Sequence, residues 1–315
     1  MRRQTTQSIL NALTAQYGKL EGLRSIAATE GTDEFVITVA DAKTVRVPAR
    51  LTLTIGKKKT TKKNIKILVR DGPEIVPFGK VIRFADCQLP IPLPLPGPVL
   101  GGEAIWHVAL GAWGTLALTA TRIQMKNDAG AVCDVRNACL SNNHILALSD
   151  GAVVGDTIQS PGRPAFATLR CWLPVSNTAK PVDAALGAVN NAADTSFGVV
   201  RGIGKITGVL SPRKNLRIQK SSRRTGVTSG QDLGPINITV GNMVYRGMRV
   251  ASPGLACCHD SGSAILDLRR RFVGLLFAGD GVSCTANPHS YYIPALPWSA
   301  APDPSIDALH ISIQV

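Results

Sequence analysis

The chain has 315 residues, of which 44% are hydrophobic and 18% charged, and its formal net charge is +14 at pH 7. This composition can bury a real core, in two or three domains of ordinary size, and the basic charge is compatible with an anionic partner without requiring one. No run of eighteen apolar residues is present, which excludes a transmembrane helix and predicts no membrane partner, and seven cysteines in so long a chain exclude a disulfide scaffold.

The opening stretch, MRRQTTQSILNALTAQYG, lacks the apolar segment and the cleavage site of a secretory signal. We therefore predict a cytoplasmic protein, with organelle import left open because the stretch is amphipathic and poor in acidic residues. In a reducing cytoplasm most of the cysteines are expected to stay thiols.

The first predicted element is a helix from Thr5 to about Ala28, because apolar residues recur there at helical spacing, at Ile9, Leu13, Tyr17, Leu20, Leu23 and Ile26. Three runs rich in β-formers follow and are predicted as strands: EFVITVA (34–40), KTVRVPARLTLTI (43–55) and NIKILVR (64–70). We interpret residues 1–85 as a small α+β domain.

A proline-rich stretch, CQLPIPLPLPGPVLGG, comes next, with a proline at every second position from 90 to 98. Such alternation favours extended polyproline geometry and cannot continue a helix or a sheet interior, so residues 86–100 are predicted to be a linker. Beyond it, short strand-like runs alternate with turns, and GSAILDL and RFVGLLFAG are among the clearest. This spacing indicates a sandwich or a pair of barrels, divided into residues 101–210 and 211–315.

One stretch of the second β unit, CCHDSGSAIL (257–266), places Ser261 between an acid and a glycine. Because Asp, Ser and Gly form turns, a plain turn is one interpretation, and an exposed nucleophile on a tight loop is the other. A serine nucleophile needs a base near neutrality and a carboxylate that orients this base. Among the five histidines, His144 ends a strand-like run, and Asp183 precedes an apolar strand that can bury it. Each residue alone also suits a structural role, but together His144, Asp183 and Ser261 are the candidate catalytic residues.

In this order, the motifs resemble the trypsin- and chymotrypsin-like serine proteases. SNNHILA stands where that family carries its catalytic histidine, VDAALGAV resembles its Asp with an apolar strand, and HDSGSAIL resembles its Gly-Asp-Ser-Gly nucleophile loop. FVGLLFAG resembles the strand that pairs with the substrate backbone, and RRTGVTSG resembles a hairpin of intracellular bacterial and plant members with an Asn-Asn-His motif. The resemblance covers about residues 101–300. It implies a mainly β fold of two six-stranded, chymotrypsin-like β-barrels, here preceded by the small α+β domain.

The resemblance also implies an oxyanion hole and a specificity pocket. The family uses the backbone N–H groups of the serine and of the residue two before it, here Ser261 and His259. The family normally has glycine at the second position, so His259 predicts a hole that is distorted, induced by substrate, or absent. The pocket base falls on Leu255 and the passage into the pocket on Gly279, which implies a neutral apolar residue before the scissile bond.

Asp260 stands beside the candidate nucleophile and needs a partner of opposite charge. In digestive members of the family, a new N-terminus made by cleavage supplies it. Here the barrels follow a linker and a further domain, so we expect a resident cation or backbone donors to pair with Asp260.

The cysteines leave three interpretations open. The spacing of Cys257 and Cys284 is close to that of a pocket disulfide in secreted family members. Zinc is the second interpretation, although the usual C-x-x-C pairing is absent, and its candidate ligands are Cys257, Cys258, His259, Cys284 and His289. Free thiols are the third, and the same three interpretations apply to Cys133 and Cys139.

Basic side chains form two clusters, Lys57–Lys63 and a second set made of Arg213, Lys214, Arg217, Lys220, Arg223 and Arg224. Phosphate contacts and solvated hairpins both suit such clusters. No interleaved aromatics, recognition helix or RNA-binding sheet motif accompanies them, so we predict solvated hairpins and no nucleic-acid partner.

Together, these features predict a serine endopeptidase that acts on protein or peptide substrates and needs no metal or organic cofactor. The alternative is a catalytically silent member of the same fold that serves as a basic binding or scaffold module, which the histidine at position 259 motivates. The sequence leaves the natural substrate open, and it leaves a homo-oligomer open.

Overall fold

A computed structural model describes residues 2–20, 22–29, 34–43, 45–55, 61–71, 76–77, 90–110, 113–127, 129–176, 178, 181–240, 243–280, 289–297 and 307–315. None of the helices in these ranges has both the length and the apolar character that a membrane crossing requires.

The N-terminal region contains one helix and five strands: α1 (Arg2–Tyr17), β1 (Leu23–Thr29), β2 (Glu34–Val39), β3 (Arg50–Ile55), β4 (Thr61–Asp71) and β5 (Val76–Pro77). The helix and the first strands share a small apolar core. The strand predicted over 43–55 begins only at Arg50. Of the predicted linker, residues 90–98 form neither helix nor strand, and residues 86–89 lie outside the described ranges, as do Lys57, Lys58 and Lys59.

The predicted first helix is too long, since Leu23 and Ile26 belong to strand β1. Two glycines explain the break. A Cβ on Gly18 would lie 2.4 Å from the carbonyl oxygen of Thr14, and Gly22 has a φ of +70°. Glycine commonly ends a helix in this way, and the apolar spacing continues past the break because helix and strand face the same core.

The next part of the chain, from 99 to 200, is mostly strand, with one short helix and a 3₁₀ turn at Ala192–Asp194. Its elements are β6 (Val99–Gly101), β7 (Ala104–His107), β8 (Gly114–Thr115), β9 (Leu118–Lys126), β10 (Val132–Ser141), α2 (Asn143–Leu146), β11 (Thr157–Ser160), β12 (Arg163–Leu173), β13 (Ala184–Val189) and β14 (Thr195–Val200).

Among its described residues, the last part adds nine strands: β15 (Gly204–Lys205), β16 (Gly208–Val209), β17 (Arg217–Ser222), β18 (Gly226–Val240), β19 (Met243–Ala251), β20 (Ala264–Asp267), β21 (Arg271–Gly279), β22 (Ser290–Pro294) and β23 (Ser312–Gln314).

Two large sheets confirm the predicted mainly β, two-barrel fold. The first barrel is an eight-stranded sheet in the order β23-β9-β10-β13-β12-β11-β7-β8. In the second barrel, the strands run β17-β20-β21-β22-β19-β18, and β18 pairs back with β17, which closes a ring of six strands. Both barrels contribute to the largest apolar core, for example through Leu140 and Leu186 of the first and Leu275 and Phe277 of the second.

The N-terminal strands continue the sheet of the second barrel. Strand β1 pairs antiparallel with β18, with Ser25 opposite Ile238, and β2, β4 and β3 follow in that order. Hydrogen bonds between neighbouring strands therefore join β1, β2, β4 and β3 to the second barrel. The domain boundaries given above stay predictions.

Candidate active site

The turn that carries His144 is fastened by two buried asparagines. Strand β10 ends one residue before Asn142, whose side-chain NH₂ donates to the carbonyl oxygen of Asp183 at 2.7 Å. The side-chain NH₂ of Asn143 donates to the carbonyl oxygen of Leu173 at 2.8 Å. Because buried amides are costly unless hydrogen-bonded, these contacts hold the short helix α2 in one position.

His144 and Asp183 meet in a buried pair. The ring Nδ1 of His144 lies 2.5 Å from Oδ2 of Asp183, and the backbone N–H of His144 donates to Oδ1 at 2.9 Å. Since Nδ1 donates to the carboxylate, a neutral His144 carries its lone pair on Nε2. This Nε2 is buried and has no hydrogen-bond partner within the described residues.

The other nearby acids are engaged elsewhere. Asp150 accepts hydrogen bonds from the Asn143 side chain and from the backbone N–H groups of Val175 and Ser176. Asp156 lies 3.0 Å from Nε2 of His107. A hydrogen bond from the Val153 N–H, and next the contact with His107, lower the pKa of Asp156. Asp183 is therefore the carboxylate that orients His144.

Ser261 lies on a tight loop before β20, between two residues in the left-handed region. His259 has a φ of +68° and Gly262 a φ of +91°. A Cβ on Gly262 would lie 2.1 Å from the carbonyl oxygen of Thr115, so this position requires glycine. The backbone N–H of Thr115 donates to the carbonyl oxygen of Ser261 at 2.7 Å, and its hydroxyl donates to that of His259 at 2.8 Å. Strand β8 of the first barrel thus holds the loop of the second.

The hydroxyl of Ser261 points to strand β21. It donates to the carbonyl oxygen of Phe277 at 3.0 Å, and the residue is fully buried. Phe277 lies at an irregularity in the pairing of β21 with β22, between the pairs made by Leu276 and Ala278. Ser261 makes no hydrogen bond with His144 in this arrangement.

His259 adopts the backbone conformation that glycine favours, and its ring is held in place. The ring stacks on Trp113 with centroids 4.2 Å apart and an angle of 22° between the planes. Its Nδ1 donates to the carbonyl oxygen of Trp113 at 2.7 Å. The indole N–H of Trp113 donates to the carbonyl oxygen of Pro90, which ties the proline-rich stretch to the site. Trp113 is not among the residues predicted for the site, and no local sequence pattern marks it.

Asp260 is paired with a resident cation, as predicted, and the cation is Lys220. Its Nζ lies 2.8 Å from Oδ2 of Asp260, and both side chains are fully buried. The same carboxylate accepts from the Thr225 hydroxyl at 2.7 Å and the Cys257 N–H at 2.9 Å. Burial lowers the pKa of Lys220, and the charge of Asp260 opposes that shift.

The prediction of a solvated hairpin is therefore wrong for Lys220. A signal was present in the sequence, because alternate residues of a strand share a face, and Lys220 stands between Ile218 and Ser222 on β17. All three side chains are buried. Others of the same basic cluster, Arg213 and Arg217, line a cavity of about 520 Å³ whose lining includes none of the candidate catalytic residues.

The two candidate pocket residues lie in different surroundings. Leu255 is fully buried in an apolar cluster with Leu216, Ile218 and Ile265. Gly279 ends strand β21, opposite Ser290 on one side and Val76 of β5 on the other.

The cysteines divide into two kinds. Cys257 is disulfide-bonded, whereas Cys133, Cys139, Cys171 and Cys258 are free of disulfides, so the thiol interpretation holds for Cys133 and Cys139. Cys284 lies outside the described ranges. His289 has its Nδ1 3.0 Å from Oδ2 of Asp280, and among described residues no group of three or more His, Cys, Asp or Glu side chains is placed to hold a metal ion.

No protein-family model and no curated protein matches the sequence. Among solved structures, a chymotrypsin of Cellulomonas bogoriensis is 17% identical with a TM-score of 0.47, and the match covers 64% of this chain and 93% of that one. Protease A of Thermobifida fusca is 15% identical with a TM-score of 0.45, covering 64% and 94%. A Nocardiopsis protease is 15% identical with a TM-score of 0.46, covering 69% and 100%. These three solved structures, to which this chain is similar, are proteases, and each shares less than 20% sequence identity with it.

Proposed function

We propose that the protein is a serine peptidase that cleaves peptide bonds with Ser261 as nucleophile, His144 as base and Asp183 as the residue that orients the base. The observation that carries the proposal is the His144–Asp183 pair, which leaves Nε2 of His144 buried and unpartnered among the described residues. Ser261 lies on a strained loop that Thr115 of the first barrel holds. A buried polar atom without a partner is costly, and in folded proteins it commonly marks a functional group.

The first step requires the Ser261 hydroxyl to turn from the Phe277 carbonyl to Nε2 of His144. Nε2 then takes the hydroxyl proton while Oγ forms a bond with the peptide carbonyl carbon. The imidazolium gives this proton to the leaving amine as the C–N bond breaks, and an ester on Ser261 remains. Water attacks the ester, its proton passes through Nε2 back to Oγ, and the carboxylic acid product leaves. Asp183 stabilises the imidazolium in both halves.

The backbone N–H groups of His259 and Ser261 are the proposed oxyanion donors. The φ of His259 supports this role, because it lies in the region that a glycine would occupy. The buried Lys220–Asp260 pair supports it too, since it fixes the loop without any cleavage of the chain.

The proposed substrates carry a neutral apolar side chain before the scissile bond. Support comes from Leu255, which offers no charge to an Arg or Lys side chain, and from Gly279, which has no side chain to narrow a pocket at the end of β21.

Labelling with a fluorophosphonate probe tests the proposal, because the probe reacts with an activated serine and needs no known substrate. Wild-type protein should be labelled, and Ser261→Ala and His144→Ala should lose nearly all labelling while they keep the wild-type circular dichroism spectrum. Ser160→Ala is the matched control, since this serine is buried in the first barrel and donates to the Ala104 carbonyl oxygen. Labelling of Ser261→Ala at the wild-type rate would assign the nucleophile elsewhere.

A further inference from the structure

A cavity of about 520 Å³ lies at one end of the second barrel, between the turn before β17 and the turn that joins β20 to β21. Its lining residues are mostly arginine and leucine, and none of them is a candidate catalytic residue. The volume lies within the range of about 300–1,000 Å³ that is typical of ligand sites. The proposed function leaves this cavity without a role.

Both turns beside the cavity are fixed by hydrogen bonds. The carboxylate of Asp267 accepts the backbone N–H groups of Arg269 at 3.0 Å and Arg271 at 2.8 Å. Its other oxygen accepts two bonds from the Arg271 guanidinium, at 2.8 and 2.5 Å. In the turn before β17, the N–H of Leu216 donates to the carbonyl oxygen of Arg213 at 3.1 Å. The lining is therefore held in shape, and the charge of Asp267 is offset by Arg271.

Three further arginines of the lining have no counter-charge from the chain. The side chains of Arg213, Arg217 and Arg269 make no hydrogen bond or ion pair within the part of the chain that the structure describes, and all three residues are exposed. Because Asp267 is the only acidic side chain among the lining residues and Arg271 engages it, the cavity keeps an excess of positive charge. Such a concave basic surface attracts an anion.

Leucine side chains give the cavity an apolar wall. Leu216 is buried, whereas Leu268 is 51% exposed. Arginine binds carboxylates and phosphates through paired hydrogen bonds, and leucine packs against aliphatic side chains. None of the lining residues is aromatic, so nucleic-acid bases would lack the stacking partners that single strands commonly use. The lining therefore favours a peptide in which acidic residues alternate with aliphatic ones.

The charge of the whole chain indicates where such a peptide comes from. At a formal net charge of +14, a second copy of this chain is repelled, whereas an acidic protein is attracted. We propose that the cavity binds an acidic, aliphatic segment of a partner protein, with Arg213, Arg217 and Arg269 pairing with its carboxylates. The cavity is built without the candidate catalytic residues, so this inference does not depend on the proposed function.

The test measures the binding of a fluorescein-labelled peptide, ELELEL, by fluorescence anisotropy. The full chain carries Ser261→Ala, which removes the proposed nucleophile and so prevents cleavage of the probe. We expect saturable binding. Glutamine in place of Arg213, Arg217 and Arg269 together should weaken it about 30-fold, because each exposed arginine–carboxylate pair is expected to contribute about threefold.

The matched control removes three positive charges from exposed residues of the first barrel, Lys126, Arg136 and Arg170, again by substitution with glutamine. This triple variant should change the affinity by no more than about twofold, because the removed charges do not line the cavity. Equal losses of affinity in the two triple variants would show that the peptide responds only to net charge, and would overturn the inference.

A single substitution tests the apolar wall without changing any charge. Leu268→Ser should weaken ELELEL about threefold and leave the binding of EQEQEQ, which lacks leucine, unchanged. Two other results would overturn the inference: no saturable binding of ELELEL, or tighter binding of a single-stranded oligothymidylate that is lost when the three arginines are replaced. The second result would make the cavity a nucleic-acid site.

Discussion

The two halves of the candidate site differ in how complete they are. In the first barrel, His144 and Asp183 already share their short hydrogen bond, and two buried asparagines fasten the turn. In the second barrel, the loop is held firmly at Asp260, yet the Ser261 hydroxyl is bonded to a carbonyl of β21. The proposed base is therefore oriented in this structure, and the proposed nucleophile does not contact it.

The difference shows which contacts hold each half. The proposed base is held by side-chain hydrogen bonds within one barrel. The proposed nucleophile is a single rotatable hydroxyl that donates to the strand where β5 also pairs. The smallest rearrangement that changes this site lies in the second half, because one rotation about the Ser261 side chain changes the hydrogen-bond partner of its hydroxyl.

The largest expected effect comes from breaking the prepared half. Asp183→Asn leaves the nucleophile in place but removes the charge that orients His144, and should slow peptide hydrolysis about 10⁴-fold. Turnover of a fluorogenic peptide measures it. Asp156→Asn is the matched control, because Asp156 faces His107 instead, and it should keep the rate. A rate within tenfold of wild type in Asp183→Asn would remove Asp183 from the mechanism.

A second prediction concerns the buried ion pair between Lys220 and Asp260 that holds the candidate nucleophile loop. Lys220→Met leaves Asp260 as an unpaired buried charge and should lower the free energy of unfolding by about 3–5 kcal/mol. Denaturant unfolding measures this, and the double variant Lys220→Met with Asp260→Asn should recover part of it. Arg122→Met in the first barrel breaks an exposed pair with Asp134 and should cost at most about 1 kcal/mol. Equal losses in the two single variants would contradict the proposed role of the buried pair.

The third prediction asks whether His259 holds the loop in an inactive form. Because its φ already lies in the glycine region, His259→Gly should leave the rate of fluorophosphonate labelling nearly unchanged and cost about 1 kcal/mol of stability from the lost stacking. Trp113→Leu removes the same stacking without freeing the backbone and serves as the comparison. A gain approaching about 100-fold in His259→Gly alone would indicate an oxyanion hole that the histidine distorts.

The smallest expected effect is a difference in reactivity between two buried thiols, one in each half of the candidate site. Cys139 lies on β10 of the first barrel, where burial raises its pKa to about 12, and Cys258 lies in the nucleophile loop. If the loop opens more readily than the barrel, iodoacetamide should modify Cys258 about tenfold faster than Cys139 at pH 8. Mass spectrometry of the two peptides gives the rates, and a faster reaction at Cys139 would reverse the comparison.

The strands and buried residues that local sequence patterns encode could be predicted from the sequence. The run RFVGLLFAG is strand β21 at the bounds the pattern gives, because a continuous apolar run bounded by turns reads as a buried strand. Because Asp183 precedes an apolar strand, its burial could be predicted, and it lies buried beside His144. The same reasoning stretched the first helix too far, because strand β1 shares the core that the helix faces.

The features that could not be predicted from the sequence depend on contacts between residues far apart in the chain. The stacking of Trp113 on His259 joins residues far apart in the chain, and no spacing between them predicts it. The pairing of β5 with β21 spans only two residues and depends on where β20 ends. The direction of the Ser261 hydroxyl depends on an irregularity at Phe277 that only the assembled sheet defines. Lys220 is the exception, because the alternation along β17 already placed it on the buried face.

The pairing of β1 with β18 also determines when, during synthesis, the sheet of the second barrel can be completed. Ser25 pairs with Ile238, and at the other end of the chain Ser312 pairs with Gln124 of the first barrel. At about 5–20 residues per second, the first strand leaves the ribosome roughly 10–40 s before its partner exists. Each sheet is therefore completed by a strand that is made long after its partner, and translation interrupted before β18 leaves β1 without its neighbour in the second barrel.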